Sequence, residues 1–387
     1  MTARTRFWVL SVSTPLIVFA LIGGYLGQAQ GRDDTYARLR IFDDVVSHVM
    51  NNYVEEVDLS EAMTGAMRGL SDALDSDSAF LTPDLVTALE TGERAGPADV
   101  GLELTRQYYL RIVSARDGSP AARAGLRPGD YLRAIDGRAT RSMSAYEGAR
   151  LLEGTAGSSV DLLVIRGNAA EPHELTLVRE VVDGATLASR LAASDVGYVR
   201  IVEFTGDLPE QLSRAVTALE GRGATRFVID LRGTALGDLD HGIAAARLFV
   251  HDGVLTVRQT KAGQETISAA ASDGSIAAPV DLLVDQGTAG AAELFAAALA
   301  DNDRAELVGQ HTLGRAARQT LVKLPDGSGL LLSSVVYLTP SSAGIHERGL
   351  APDIAVRQPD VEFGATPPAG DATLDRAVEH LAERAAA

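Results

Sequence analysis

The residues that point most directly to chemistry lie in Asp285–Leu299, "DQGTAGAAELFAAAL". A run that is apolar but for Asp281, Val280–Val284, leads into a glycine-rich turn, and an alanine-rich segment of helical composition leaves it. A strand that turns sharply into a helix suits a nucleophile, because helix N–H groups and the positive end of the dipole face the developing oxyanion. Here the seat lacks its occupant. Between Val280 and Gln319 there is no serine and no lysine. The pair this segment can still offer is Thr288 as nucleophile with His311 as base. Of the chain's 35 basic residues only two are lysines, Lys261 and Lys323.

Other chemistries find less support. His48, His173, His241, His251, His311, His346 and His380 are scattered without ligand spacing, and cysteine is absent, so no metal site and no cofactor is expected. No G-x-S-x-G, Walker or dinucleotide glycine motif stands in a suitable context. A formal net charge of −17 excludes nucleic acid as an expected partner, since that binding rests on Lys and Arg.

The elements that must position the elbow follow from the patterning. With 387 residues, 46% hydrophobic and 22% charged, the chain is globular and long enough for several domains. Arg4 and Arg6 precede the uncharged run Phe7–Gly27, which as a helix would span about 31 Å, one hydrocarbon core. Residues 1–31 therefore read as a signal peptide or N-terminal membrane anchor, with everything after Gly31 outside the cytoplasm. Residues 32–97 read as a helical region: Leu39, Phe42, Val45, Val46, Val49 and Tyr53 form one apolar face. Residues 98–182 hold short β-rich segments and one helix-like stretch, Ser144–Glu153. From 183 to 360 strand-like runs ("GYVRIVEF", "RFVIDLR", "PVDLLVD", "AELVG") alternate with helical ones, which predicts a helix-covered parallel or mixed sheet. A linker and an amphipathic helix fill 361–387.

"GSPAARAGLRPGDYLRAIDG", Gly118–Gly137, resembles the PDZ domains of bacterial envelope proteases. Such domains take an extended peptide as an added strand. In that resemblance "VGLEL" is the carboxylate-binding loop, which implies a peptide site at Val100, Gly101, Leu102 and Leu104. The likeness then extends over nearly all of the remaining chain to the carboxyl-terminal processing peptidases. "LDSDSAFLTPD", "GYVRIVEFT", "FVIDLRG", "LVGQHTLG", "LPDGSGL", "YLTPSS" and "ERGLAPDIAV" all occur in the family's order. It implies an α/β fold: a crotonase/Clp-protease-like core, an inserted β-rich PDZ domain and a helical N-terminal region.

The same resemblance implies a serine nucleophile, a lysine base and a supporting glutamine. In the family's frame the nucleophile position is Gly290, the base position is Arg315 and the glutamine is Gln319. Gly290 has no side chain, and a guanidinium is protonated at every accessible pH. The loop after Arg232, which in the family helps form the oxyanion hole, reads Gly233-Thr234-Ala235-Leu236-Gly237, with Leu236 where a glycine is expected. Three departures in one matching scaffold predict a pseudopeptidase with no intact catalytic residue. Expected partners are protein or peptide C-termini, an active homologous protease or a second copy of the chain, and a bacterial membrane reached through the N-terminal segment. An active endopeptidase with an unrecognised nucleophile, or a structural envelope protein, are the competing expectations.

Overall fold

The computed structural model describes residues 36, 39–167, 171–182, 184–359, 361–365 and 370–386. Two compact units are distinguished, Met1–Ala66 and Met67–Ala387. The segment read as signal or anchor lies outside the described residues. Among those described, no helix is long and apolar enough to cross a membrane. In the first unit a helix covers residues 39–52, and the apolar face read from the sequence is exposed on it, with only Val46 partly buried.

Among the described residues the second unit is built on three large sheets and a two-stranded one, Glu203–Phe204 with Leu236–Gly237. The central one has six strands in the order Ile354–Ala355, Ala305–Gly309, Val280–Val284, Arg226–Asp230, Val196–Ile201, Leu187–Ala193. Its first five strands are parallel and the last is antiparallel. Side-chain alternation divides its two faces. Phe227, Ile229, Leu282 and Leu307 pack under the helices Leu208–Glu220, Leu239–Ala246 and Ala291–Ala300. Val228, Leu283 and Val308 pack instead on Leu374, Ala377 and Leu381 of the C-terminal helix Ala372–Ala386. Covered on both sides, Val280–Val284 is buried at every residue and is apolar except for Asp281, whose carboxylate pairs with His380 at 2.8 Å.

A five-stranded antiparallel sheet flanks this core. It joins the hairpin Val254–Thr260/Gly263–Ser268 to Gly329–Leu338, to Ala317–Lys323 and to a short strand, Ala79–Leu81. That short strand interrupts the helical N-terminal pattern. Pro83 at the first helical turn and Gly92 in a left-handed cap bound the helix that follows. The third sheet is antiparallel: Leu102–Gln107, Tyr109–Ala115, Tyr131–Ile135, Ser159–Ile165 and His173–Val178, with Arg138–Ala139 beside the third. Ser119 caps the turn Pro120–Arg123, and Ser144 caps the helix Ala145–Leu152 within the helix-like stretch Ser144–Glu153.

Candidate functional site

The elbow forms as its composition requires. The strand ends at Val284, and Gly290 takes φ +63° and ψ −121° immediately before the helix Ala291–Ala300. A residue with a Cβ is strained in that region, and glycine is not. The space around Gly290 is open: a Cβ there would find its nearest neighbour, the Arg315 carbonyl oxygen, at 3.7 Å.

One buried carboxylate fixes the geometry. Glu293 is wholly buried. Its Oε2 accepts N–H bonds from Gly290 at 3.1 Å and Arg315 at 2.8 Å. Its Oε1 accepts from the Gly314 amide at 2.7 Å and from the Thr312 hydroxyl. Glu293 thus ties the helix N-terminus to the segment Thr312–Arg315. Burial pushes its carboxyl above the usual carboxylate range, against the pull of those donors. Asp285 plays a parallel part on the other side. Its Oδ1 accepts the Gly233 and Gly287 amides, each at 2.9 Å, and joins the elbow to the loop after Arg232. Burial raises the Asp285 carboxyl as well.

Arg315 is committed to ion pairs. Its Nε stands 3.1 Å from Asp77 Oδ1, and its Nη1 stands 3.7 Å from Glu103 Oε2. Asp77 comes from the segment before the flanking sheet, and Glu103 from the first strand of the PDZ-like sheet. The position of the base is therefore a junction of three segments far apart in sequence. Asp77 and then Glu103 hold the guanidinium charge more firmly than usual, against the opposing effect of burial. Burial pushes Glu103 upward, while Arg315 draws it down. Gln319 lies in Ala317–Lys323 opposite Ser333. Among the described residues its side-chain amide reaches only the Ala317 carbonyl, at 3.5 Å.

The first amides of the loop after Arg232 are already engaged. The Gly233 amide is taken by Asp285, and the Thr234 amide by the Leu231 carbonyl at 3.1 Å. Leu236 and Gly237 pair in parallel with Glu203 and Phe204. Thr288 is also occupied: fully buried, its Oγ1 donates to the Leu231 carbonyl at 2.9 Å and accepts the Asp285 amide at 3.0 Å. His311 turns Nδ1 to the Thr312 carbonyl, 3.0 Å away. Thr288 and His311 therefore serve the backbone rather than each other.

Val100, Leu102 and Leu104 lie in the core of the PDZ-like sheet. Leu102–Gln107 pairs with Tyr109–Ala115, and among the described residues no strand occupies its other edge. Several bonds join this sheet to the peptidase-like core. Arg111 Nη2 donates to Gln286 Oε1 at 3.0 Å, and Gln286 Nε2 donates to the Pro128 carbonyl at 3.1 Å. Arg200 pairs with Asp117 at 3.0 Å, and Arg116 with Glu203 at 3.3 Å. A cleft of about 440 Å³ lies along this junction, lined by Thr105, Arg106, Tyr108, Gly314 and Arg315 among others. Among the described residues no cluster of three His, Asp or Glu is placed to hold a metal ion.

Of the residues that the family frame names, Gly290 and Arg315 meet through Glu293, while Gln319 bonds to neither among the described residues. The roles of Asp77 and Glu103 as partners of Arg315, and of Asp285 as the link to the loop, emerge only from the fold. For the acids no sequence signal existed, because each bond crosses between separate segments. The Asp285–Gly287 turn was legible as an Asx-type turn.

The pattern of peptidase family S41 matches residues 195–356, and that of the PDZ domain matches residues 111–166. The chain is 34% identical over 298 residues to the carboxyl-terminal-processing protease of Synechocystis sp., covering 75% of this chain and 69% of that protein. It is 28% identical to the carboxy-terminal-processing protease of Bartonella bacilliformis, covering 84% and 76%. The solved structure of a photosystem II D1 C-terminal processing protease superposes with a TM-score of 0.69 at 30% identity, covering 81% of this chain and 86% of that one.

Proposed function

The chain belongs to the carboxyl-terminal processing proteases of peptidase family S41, and from that membership we propose that it is a pseudopeptidase. The observation that carries this reading is Gly290 at the apex of an intact elbow, with Arg315 at the base position held by Asp77 and Glu103. Acyl transfer at that apex needs a hydroxyl, and its activation needs a neutral amine. Glycine supplies neither oxygen nor sulfur, and a guanidinium held by two carboxylates does not deprotonate. Thr288 gives no support to a displaced nucleophile, because its hydroxyl is buried and bonded on both sides.

In this reading the PDZ domain retains the binding function. It captures protein C-termini along the open edge of Leu102–Gln107, and the chain acts as a scaffold, adaptor or competitor, alone or beside an active homologue. Its place is the extracytoplasmic side of the cell envelope, by way of the basic-then-apolar segment Arg4–Gly27. Labelling by a serine-directed fluorophosphonate, alongside C-terminal peptide binding, tests the proposal. It expects binding without labelling. A covalently labelled elbow peptide, or the absence of peptide binding, contradicts it. Protease accessibility of the tagged chain in intact spheroplasts tests the location.

A further inference from the structure

The carboxylate end of the PDZ groove holds an acid of its own. Asp99 Oδ1 accepts the Gly101 N–H at 2.7 Å, an amide of the loop on which a peptide's terminal carboxylate would settle. Asp99 Oδ2 accepts from Arg94 Nη2 at 3.0 Å, and Arg94 Nε reaches Glu153 Oε1 at 2.8 Å. The segment is stapled to the end of the helix Ala145–Leu152. The Ala95 amide donates to Glu153 Oε2 at 2.9 Å, and Arg150 donates to the Glu93 carbonyl. Ala98 and Gly154 exchange both backbone bonds, at 3.1 and 2.8 Å. Gly101 has φ +77°, and a Cβ there would stand 2.2 Å from Ser119 Cβ, so the turn requires glycine.

We propose that Asp99 is the specificity-determining residue of this peptide site. Its carboxylate already occupies the loop, so the domain adds a peptide strand along Leu102–Gln107 and accepts protein C-termini without preferring them to other extended segments. Strand addition draws on main-chain hydrogen bonds and does not itself need a terminal charge. A free carboxylate entering this loop must displace Asp99 from the Gly101 amide and then stand beside a second negative charge. That repulsion is enough to remove at least about tenfold in affinity. Arg94 offsets only part of it, because one guanidinium is shared by Asp99 and Glu153 and the three side chains keep a net charge of about −1.

The inference rests on the peptide-binding reading given above, and the test separates the two. Decapeptides with randomised last three residues, each made as free acid and as amide, are titrated against the full-length chain by fluorescence anisotropy. The wild type is expected to bind acids and amides within about threefold of each other. Asp99→Ala, which frees the Gly101 amide and Arg94, is expected to bind acids at least about tenfold more tightly than amides. Asp99→Asn removes the charge, preserves the turn and is expected to fall between; it carries the comparison should Asp99→Ala fail to fold. A wild-type preference for acids of about tenfold or more overturns the proposal, as does an unchanged acid-to-amide ratio in a variant that still binds. Binding of neither peptide form by any of the proteins overturns the peptide-binding reading, and the proposal falls with it.

Discussion

Arg315 Nε and Asp77 Oδ1 stand 3.1 Å apart, with the Asp77 side chain only 2% exposed. Removing the cation leaves a carboxylate in a dry site, which costs far more than the pair contributes. Arg315→Gln is therefore expected to lower unfolding stability by about 3 kcal/mol, read from urea denaturation. Adding Asp77→Asn to that variant is expected to recover most of the loss. Full additivity of the two changes would count against the pairing.

Gly290 has room for a side chain but not a comfortable backbone for one. Gly290→Ser is expected to fold and to lose about 1–3 kcal/mol, because φ +63° strains any L-residue while the nearest atom to the new Cβ is 3.7 Å away. Gly290→Ala is expected to lose a similar amount. Thermal unfolding checks both. A loss well beyond that range would point to a clash that the geometry does not contain.

Glu293 accepts bonds from three amides and one hydroxyl. Glu293→Gln sets an NH₂ group against those donors and is expected to cost about 3 kcal/mol at neutral pH. The pH dependence has a definite sign. Burial raises the carboxyl in the folded state, so the folded chain binds this proton more readily than the unfolded one. Wild-type stability, relative to the glutamine variant, is then expected to increase as pH falls from neutral toward the ordinary glutamate range near about 4.3. Urea midpoints of both proteins at pH 7 and pH 5 measure the difference, and a gap that narrows on acidification contradicts the assignment.

Much of this architecture was legible because its signals are local. Val280–Val284 is apolar at four of its five residues since both faces of its strand are covered, and the helix after it begins where glycine permits the turn. Glu293 lies within the elbow segment, yet nothing local marks it as the carboxylate that fastens Thr312–Arg315. The partners of Arg315 were out of reach, because Asp77 and Glu103 meet it only through the tertiary fold. The hairpin Val254–Ser268 also escaped: its second strand, "GQETIS", is exposed and polar and has no alternating pattern to betray it. Leu102 and Leu104 read as pocket residues from the loop's resemblance, yet they sit in the sheet's core, with a bulge between Glu103 and Leu104.

Hydrolysis tests the central claim most directly. The purified full-length chain is incubated with an unstructured protein, beside its Gln319→Ala and Thr288→Ser variants, and new amino termini are counted by mass spectrometry. With Gly290 at the apex and Arg315 clamped by Asp77 and Glu103, all three proteins are expected to release none above a buffer control. Cleavage by the wild type that disappears in Gln319→Ala would contradict the account.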